Sequence, residues 1–348
     1  MIIFRCNADS KVGFGHLTRC TALAEALLSL GEPSMMVGPS QKFFKKKETQ
    51  VFHDWIEKKT WESSGDDALK LINIAKKSSS NMIILDDYRV DYEYQYTLKK
   101  HEFHWLQFDN GKTTTILADI VLNTNPVVSS SSYEDKLENP MTKLLLGLNY
   151  AIVREEFPPK KLKLTNLDNK KILITFGAGD DRGAILFVLS SLLEQKLKNI
   201  KFIVVSGINN PNNPNISSWI ENHASDNVDL MVNPDCIAEL FASCDFAIMA
   251  GGTTVYEVSS IGLPMILIAI ADNQIQHSSD WSQKSNSVKF LGRLEDLKKE
   301  QLTEAFHQLF SKDNSILNKK VLVDGFGRIR VAQEVINTKK KYEKDISS

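Results

Sequence analysis

Short apolar runs alternate with amphipathic stretches along the chain, which is the pattern of buried strands and crossover helices in a parallel α/β sheet. The runs form two series, separated by a polar segment that begins at Pro158. Each series has enough strands for its own sheet, so the pattern predicts two α/β domains. The first series comprises Met1–Phe4, Met35–Val37, Met82–Leu85, Trp105–Phe108, Ile120–Leu122 and Leu144–Leu146, and the second comprises Lys171–Phe176, Phe202–Val205, Val228–Val232, Asp245–Ala250 and Met265–Ile270.

The polar segment also predicts where the domains divide. Pro158–Lys170 lacks apolar periodicity and combines prolines with lysines, as linkers often do. We expect an N-terminal domain over 1–157, a C-terminal domain over 168–325, and a terminal helix and tail over 326–348 that pack across both domains. A further helix is predicted before the tail by the helical spacing of Leu302, Phe306, Leu309 and Phe310.

Two glycine-containing turns lie between an apolar run and a helical pattern. The first is Gly13-Phe14-Gly15-His16, and the second is Gly251-Gly252-Thr253-Thr254, which leads into a helix containing Glu257. A turn of this kind exposes unpaired backbone N–H groups and the positive end of a helix dipole, which together bind anions. An imidazole at such a turn, with an ordinary pKa near ~6.5, can accept a proton at neutral pH.

Each turn also has an interpretation that needs no ligand. The glycines of the first turn can simply permit a tight bend, with His16 as a capping residue. In the second turn, Thr254 and Glu257 have the spacing of a capping box, in which the carboxylate satisfies a backbone N–H at the start of the helix.

Composition narrows the class of protein. A chain of 348 residues is long enough for two domains, and its net charge of -1 argues against nucleic-acid binding. The sequence has neither the ~20 continuous apolar residues of a membrane span nor the pattern of a secretion signal. We therefore expect a cytoplasmic protein without a membrane segment. Its cysteines have no Cys-x-x-Cys spacing and are expected to be reduced.

Motifs for common cofactors are absent from the sequence. Thr18 stands where the dinucleotide fingerprint has its third glycine, and there is no P-loop pattern. The acidic pairs Asp86-Asp87 and Asp180-Asp181 lack the neighbouring ligands of a metal cage, and no Asp-x-Asp triplet occurs. We therefore expect a site without cofactor or metal.

Several short blocks of the sequence occur in a distinctive order. These blocks are Arg5, Asn7, Gly13, Gly15, His16, Arg19 and Cys20; Asp86-Asp87-Tyr88; Leu146-Gly147 through Ala151, Arg154 and Phe157; Phe176-Gly177-Ala178-Gly179-Asp180; and Gly251 through Thr254, Glu257, Gly262-Leu263-Pro264 and Asp272-Asn273-Gln274. Together they resemble the PseG family of UDP-2,4-diacetamido-2,4,6-trideoxy-β-L-altropyranose hydrolases, in the MurG-related GT-B superfamily. Asn7 and Asp87 differ from the family pattern, which has aspartate and histidine there.

This resemblance implies two Rossmann-like domains facing a central cleft, with UDP on the C-terminal half and the sugar facing the N-terminal half. It implies hydrolysis of the UDP-sugar to free sugar and UDP in pseudaminic-acid-type surface sugar biosynthesis, including flagellin glycosylation. The implied catalytic residues are His16, Tyr88 and Asn273. The implied binding residues are Arg5, Asn7, Gly13, Gly15, Gly177, Gly251, Gly252, Thr253, Thr254, Glu257, Asp272 and Gln274.

Several alternatives remain open at this stage. Glu257 is either the capping residue described above or an acceptor for the ribose hydroxyls. Tyr88 and Asn273 have the plainer interpretations of a packed aromatic and a turn residue. The same fold serves glycosyltransferases that use a UDP-sugar donor, and a noncatalytic nucleotide-sugar-binding protein is a third possibility. Acceptor-free release of UDP distinguishes hydrolysis from both.

Overall fold

The computed structural model describes residues 1–8, 14–43, 49–58, 63–157, 170–195, 199–224, 226–310 and 321–347. These form two compact units. The first contains Met1–Arg154 and Gly325–Ser348, and the second contains Glu155–Asp324. Most of the predicted linker, 158–169, lies outside the described residues.

The first unit contains a sheet of seven parallel strands in the order β3-β2-β1-β4-β5-β6-β7. Along the chain, helices connect several pairs of consecutive strands of this sheet. The strands are β1 (Ile2–Cys6), β2 (Ser34–Gly38), β3 (Asp54–Glu57), β4 (Met82–Asp86), β5 (His104–Phe108), β6 (Ile120–Asn123) and β7 (Lys143–Leu146), and the helices are α1 (Gly15–Ser29), α2 (Ser64–Lys77) and α3 (Tyr92–Lys100).

Both faces of the first sheet are covered by helices. Ile2 and Phe4 of β1 belong to the same core cluster as Leu23 of α1, whereas Ile3 belongs to a second cluster with Leu71 of α2. Because successive side chains of a strand point to opposite faces, a strand covered on both sides must be apolar throughout. This requirement explains why the central strands appear in the sequence as continuous apolar runs.

The second unit contains a sheet of six parallel strands in the order β10-β9-β8-β11-β12-β13. The strands are β8 (Lys170–Thr175), β9 (Ile200–Ser206), β10 (Val228–Val232), β11 (Phe246–Ala250), β12 (Met265–Ala269) and β13 (Val288–Arg293). The helices are α4 (Ala184–Leu193), α5 (Asn213–His223), α6 (Ile237–Ala242), α7 (Thr254–Ile261), α8 (Ile275–Lys284) and α9 (Lys299–Phe310).

The last helix, α10 (Gly327–Ser347), belongs to the first unit. Its residues Val331 and Val335 are fully buried in the core cluster that contains Leu23 of α1. No helix among the described residues is long and apolar enough to cross a bilayer.

Each sheet contains one point where the direction of chain winding reverses. From β1 the chain adds β2 and β3 on one side and then returns to add β4 on the other, and the second sheet does the same around β8 and β11. Loops leaving the carboxyl ends at such a point diverge and leave a crevice that commonly binds ligands. The His16 turn follows β1, and the Gly251 turn follows β11. Both predicted anion-binding turns are therefore at reversal points.

The two parallel sheets confirm the predicted fold class. Every apolar run of the two series overlaps a strand, but β3 and β13 are absent from those series. Both strands are at an edge of their sheet and are partly exposed. Edge strands need no continuous apolar run, so the pattern on which the prediction was based is missing there.

We expect Gly207→Ala to destabilise the second unit, because a Cβ at this position would lie 2.1 Å from the carbonyl oxygen of Ala178. The backbone after β8 must then move, at a cost of about 1–3 kcal/mol of unfolding free energy. Gly179→Ala is the control, since nothing lies within 4 Å of its Cβ position. Urea denaturation of both variants measures the difference, and equal stability would contradict this close contact.

Candidate functional site

His16 is the second residue of α1. The helix has no acidic residue in its first turn, and its N-cap residue Phe14 makes no side-chain capping hydrogen bond. The positive end of the helix dipole is therefore not compensated by a carboxylate of this turn. Gly15 begins the helix, and Gly13 lies outside the described residues.

A carboxylate from the neighbouring strand holds the His16 ring. Nδ1 of His16 lies 2.6 Å from Oδ1 of Asp86, the last residue of β4. The other oxygen, Oδ2, accepts a hydrogen bond of 2.6 Å from Nε of Arg19. Asp86 is directly opposite Cys6 in the β1–β4 pair, so the sheet register brings it to the start of α1.

The ionised state of Asp86 determines which nitrogen of the neutral His16 ring carries the proton. Burial alone would raise the pKa of the Asp86 carboxyl, but the charges and hydrogen bonds of Arg19 and His16 hold this pKa well below its ordinary value. An ionised carboxylate only accepts hydrogen bonds, so Nδ1 of His16 must be the donor. The neutral ring then has its unprotonated nitrogen at Nε2, the atom that can accept a proton.

Tyr88 and Asn7 lie beside this pair. The Tyr88 ring packs edge-on against His16, with ring centroids 4.4 Å apart, and Tyr88 is 52% exposed. The backbone amide of Asn7 lies 3.5 Å from the carbonyl oxygen of Asp86. The structure thus brings three predicted site residues of the first unit together at the ends of β1 and β4.

Arg5 is buried, which does not fit the binding role that the resemblance implies. It is 1% exposed, and its Nε and an η nitrogen donate to the two oxygens of Asp67 at 2.9 and 3.2 Å. Lys58 forms an ion pair with Asp67, and the Tyr94 hydroxyl donates to it at 3.0 Å. We therefore correct its predicted role: Arg5 belongs to a buried ion-pair cluster because its side chain points into the α2 side of the sheet.

Asp87, which differs from the family pattern, has a clear partner. Its Oδ1 accepts from the backbone N–H and Nε of Arg89 at 3.0 and 2.9 Å, and its Oδ2 accepts from an η nitrogen at 2.6 Å. The segment around Tyr88 is therefore stabilised by the Asp87–Arg89 ion pair on either side of it.

The second turn has its backbone amides available. Thr253 is the N-cap of α7 and makes no side-chain capping hydrogen bond. Across the described ranges, no atom accepts a hydrogen bond from the amide of Gly252 or Thr253. Nothing lies within 4 Å of the Cβ position of Gly252, whereas a Cβ on Gly251 would be 1.8 Å from Oγ of Ser278. The two adjacent glycines thus have different surroundings: the missing side chain of Gly251 permits close packing against Ser278, whereas Gly252 borders open space.

Glu257 does not fit the predicted capping box. A box between Thr254 and Glu257 requires Thr254 as N-cap, but the helix begins at Thr254 and its N-cap is Thr253. In a capping box the carboxylate belongs to the third residue after the N-cap and bonds back to the N-cap amide, whereas Glu257 is the fourth residue after Thr253. It is 7% exposed, in the first turn of α7.

Asp272, Asn273 and Gln274 form a short 3₁₀ helix after β12. Oε1 of Gln274 accepts a hydrogen bond of 3.0 Å from the amide of Ile270, and its carbonyl oxygen is 3.2 Å from the Cβ position of Gly251. Asn273 is exposed, and Asp272 pairs with Arg293 at the surface. This segment therefore lies directly against the Gly251 turn.

Gly177 follows β8, the strand next to β11, and its positive φ of 95° favours glycine. Asp181 lies before the helix that follows, α4, and its Oδ2 accepts a hydrogen bond of 2.9 Å from the amide of Ile185 in the first turn of that helix. The start of α4 is therefore capped by a carboxylate.

Sequence reasoning missed three residues of these turns. Asp86 and Arg19 appeared only as parts of motifs, although Asp86 holds His16 and Arg19 bonds to Asp86. His277 of α8 was not noticed, although its Nδ1 lies 2.9 Å from the carbonyl oxygen of Gly251. For Asp86 a signal existed, since an aspartate that ends a buried central strand faces the crevice at the reversal point. For His277 the sequence contains no such signal.

Comparison with known proteins identifies a family model for the second half. Residues 171–329 match the glycosyltransferase family 28 C-terminal domain. An uncharacterized protein of Methanocaldococcus jannaschii, MJ1062, is 26% identical over 313 residues, which are 86% of this chain and 61% of that protein. The chain thus spans less than two thirds of this relative.

Two further relatives have names that describe an activity. A Campylobacter jejuni protein named UDP-2,4-diacetamido-2,4,6-trideoxy-beta-L-altropyranose hydrolase is 23% identical over 290 residues, covering 83% of this chain and 98% of that protein. A Helicobacter pylori protein, whose name joins pseudaminic acid cytidylyltransferase with the same hydrolase, is 29% identical over 132 residues, 37% of this chain and 23% of that protein. The predicted resemblance to these hydrolases is confirmed.

Solved structures show the same fold. A Staphylococcus aureus MnaA–UDP co-structure matches with a TM-score of 0.66 at 13% identity, covering 100% of this chain and 98% of that one. The Acinetobacter baumannii MurG structure matches with a TM-score of 0.64 at 13% identity, covering 98% and 99%. These likenesses confirm the predicted GT-B class.

We expect Asp67→Ala to lower the unfolding free energy of the first unit by about 3–5 kcal/mol, because it leaves the buried Arg5 charge without its carboxylate. Burial raises the pKa of Asp67, but Arg5 and Lys58 lower it further, so the net shift is downward. Its contribution is therefore present above the ordinary carboxyl pKa of about 4 and is lost as the pH falls.

Urea denaturation at pH 7 and in acid tests this expectation, with Asp229→Ala as control. Asp229 pairs with Lys201 at the surface, where loss of an ion pair costs about 1 kcal/mol or less. Equal effects of the two substitutions at pH 7 would contradict the structural role of the Arg5–Asp67 pair.

Proposed function

We propose that this protein is a hydrolase that splits a UDP-activated diacetamido-trideoxyhexose into free sugar and UDP. One observation carries the proposal: His16 is held by a buried carboxylate through Nδ1, which leaves Nε2 as a base at the carboxyl ends of two central strands. The named relatives support the substrate class. We place the reaction in the cytoplasm, in pseudaminic-acid-type surface sugar biosynthesis.

In the proposed reaction, Nε2 of His16 accepts a proton from water. The water oxygen forms a bond to the anomeric carbon, the bond from that carbon to the diphosphate oxygen breaks, and UDP leaves with the electron pair. Attack from the face opposite UDP inverts the anomeric configuration. General-base catalysis of this kind typically contributes 10²- to 10⁴-fold in rate.

The first unit also supplies the proposed sugar contacts. Tyr88 presents a half-exposed ring beside the base, and Asn7 follows β1 next to Asp86. The hydrogen bond from His16 to Asp86 fixes the direction in which Nε2 points. The Tyr88 ring packs against the imidazole and covers part of it. The Asp87–Arg89 pair, at a position that differs from the family pattern, makes this segment a candidate for a changed preference among sugars.

The second unit supplies the proposed nucleotide contacts. The amides of Gly252 and Thr253 would donate to the diphosphate at the start of α7, where the helix dipole favours negative charge. Charge that develops on the leaving diphosphate is stabilised by such donors, and loss of one in comparable sites costs roughly 3 kcal/mol of transition-state stabilisation. Glu257 is assigned to the ribose hydroxyls, Gly177, Asp272 and Gln274 to further binding contacts, and Asn273 to a contact with the sugar or the water. Of these residues, Gln274 lies against the Gly251 turn.

A glycosyltransferase that uses the same donor is the second candidate. The match of residues 171–329 to a glycosyltransferase domain favours it, because this domain contains the proposed nucleotide turn. A noncatalytic nucleotide-sugar-binding protein would share that turn too. The candidates differ in what reaches the anomeric carbon: water, an acceptor hydroxyl or nothing.

Hydrolysis is tested by incubating the protein with a panel of UDP-sugars in ¹⁸O-labelled water without an acceptor. We expect UDP release, with the label in the anomeric hydroxyl of the sugar and with inverted configuration. His16→Asn should lose most turnover, about 10²-fold or more, and keep its UDP affinity within a few-fold. Label in the phosphate, or full turnover by His16→Asn, would overturn the assigned mechanism, and release only with an acceptor would indicate a transferase.

The position of the nucleotide is tested by Gly252→Val, compared with Gly13→Val in the other turn. Since nothing lies within 4 Å of the Cβ position of Gly252, the fold can accept the side chain, which would then block the approach of a diphosphate. We expect UDP affinity, measured by calorimetry, to fall at least tenfold for Gly252→Val only. Equal losses, or a loss only for Gly13→Val, would contradict the assignment of UDP to the second unit.

A further inference from the structure

His277 connects three elements around the second turn. Its Nδ1 lies 2.9 Å from the carbonyl oxygen of Gly251, at the end of β11. Its Nε2 lies 3.1 Å from Nε1 of Trp281 on α8 and 3.0 Å from the hydroxyl of Tyr256 on α7. One imidazole thus contacts the turn, the helix that the turn begins, and its own helix.

The partners of His277 determine which nitrogen carries the proton. A carbonyl oxygen can only accept, so Nδ1 is the donor to Gly251. An indole N–H can only donate, so Nε2 accepts from Trp281 and is unprotonated. The ring is therefore the neutral Nδ1–H tautomer, with each nitrogen in a defined bond.

The hydrogen bond to Gly251 also fixes the direction of the next amide. The described residues contain no cis peptide bond, and in a trans peptide the carbonyl oxygen and the following N–H point in opposite directions. The Gly251 carbonyl points to His277, so the Gly252 N–H points away from it. No described atom accepts that N–H.

We infer that His277 is a positioning residue for the diphosphate, which holds the Gly251–Gly252 peptide so that the Gly252 N–H faces the ligand. This inference rests on the proposed function, because it takes the second turn as the UDP site. Without the imidazole donor, the peptide plane can rotate and present its carbonyl oxygen, which would repel a phosphate. A hydrogen bond accepted by the carbonyl also polarises the peptide and strengthens its N–H as a donor.

Packing alone does not require this hydrogen bond. Ser278, the next residue of α8, already lies against Gly251, where its Oγ occupies the space of a Cβ. The same unit offers a matched comparison in His223 of α5, whose Nδ1 bonds to the carbonyl oxygen of Trp219 at 2.9 Å and whose ring stacks on the Trp219 ring. His223 thus makes a similar hydrogen bond within its own helix, and neither of these two contacts involves the second turn.

The test measures UDP binding by calorimetry for His277→Leu, His277→Asn and the control His223→Leu. Leucine removes the donor, and we expect UDP affinity to fall about 10- to 100-fold, the range for a lost hydrogen bond to a charged group. The amide of asparagine can occupy the position of Nδ1 and should restore most of the affinity. His223→Leu should bind UDP as the wild type does.

A second readout follows the amide itself. In protein labelled with ¹⁵N-glycine, the Gly252 resonance, assigned by its loss in Gly252→Val, should shift on addition of UDP in the wild type and in His277→Asn. It should shift much less in His277→Leu at the same ligand concentration. If His277→Leu does not fold, His277→Asn is compared with His277→Gln, whose longer amide reaches the Nε2 position instead; asparagine should bind UDP more tightly.

The outcomes separate this inference from the proposed function. If Gly252→Val binds UDP like the wild type, the nucleotide assignment itself is wrong. If Gly252→Val loses UDP while His277→Leu keeps full affinity and the full Gly252 shift, only the role of His277 is overturned. Equal losses in His277→Leu and His277→Asn, or glutamine binding as well as asparagine, would also overturn it.

Discussion

The carboxyl ends of parallel strands all lie at one edge of a sheet, and this constraint determines where each unit can place its chemistry. In the first unit, the reversal between β1 and β4 brings Asp86 to the start of α1. In the second unit, the reversal between β8 and β11 leaves the Gly251 turn at the start of α7. Neither arrangement needs an elaborate loop, since the sheet order alone brings a helix start beside the end of a neighbouring strand.

The carboxylate of Asp86 accepts from Arg19, His16 and the Cys20 thiol, and the first two partners have different requirements. Arg19 compensates its charge permanently, which keeps a buried aspartate ionised without a proton. His16 uses the remaining acceptor capacity of the carboxylate to fix its tautomer. If His16 takes up a proton, the net charge of these three side chains changes from neutral to singly positive. Arg19 therefore allows the aspartate to orient the ring while the imidazolium remains only partly compensated.

Much of the architecture could be predicted from apolar periodicity because the central strands are buried on both faces. Periodicity could not reveal β3 or β13, which lie at sheet edges and are partly exposed. Among the candidate site residues, the strand–glycine–helix pattern singled out His16 and Gly252, since it depends only on local sequence, and their roles stay predictions. Arg5 was placed wrongly because its partner Asp67 is 62 residues away, and no local pattern indicates which face of the strand its side chain takes. His277 was missed for the same reason: its contact with Gly251 spans 26 residues and two elements.

The contact between Gly251 and Ser278 has an evolutionary consequence. The hydroxymethyl group of Ser278 fills the volume that an alanine methyl at position 251 would need, so neither position can change size independently. A related protein with alanine at position 251 would need glycine at position 278, or a displaced α8, to keep the turn closed. The two positions should therefore covary in divergent sequences, whereas no such packing partner restricts Gly252, whose Cβ position borders open space. Packing inside the protein thus constrains only one of these two identical neighbouring residues.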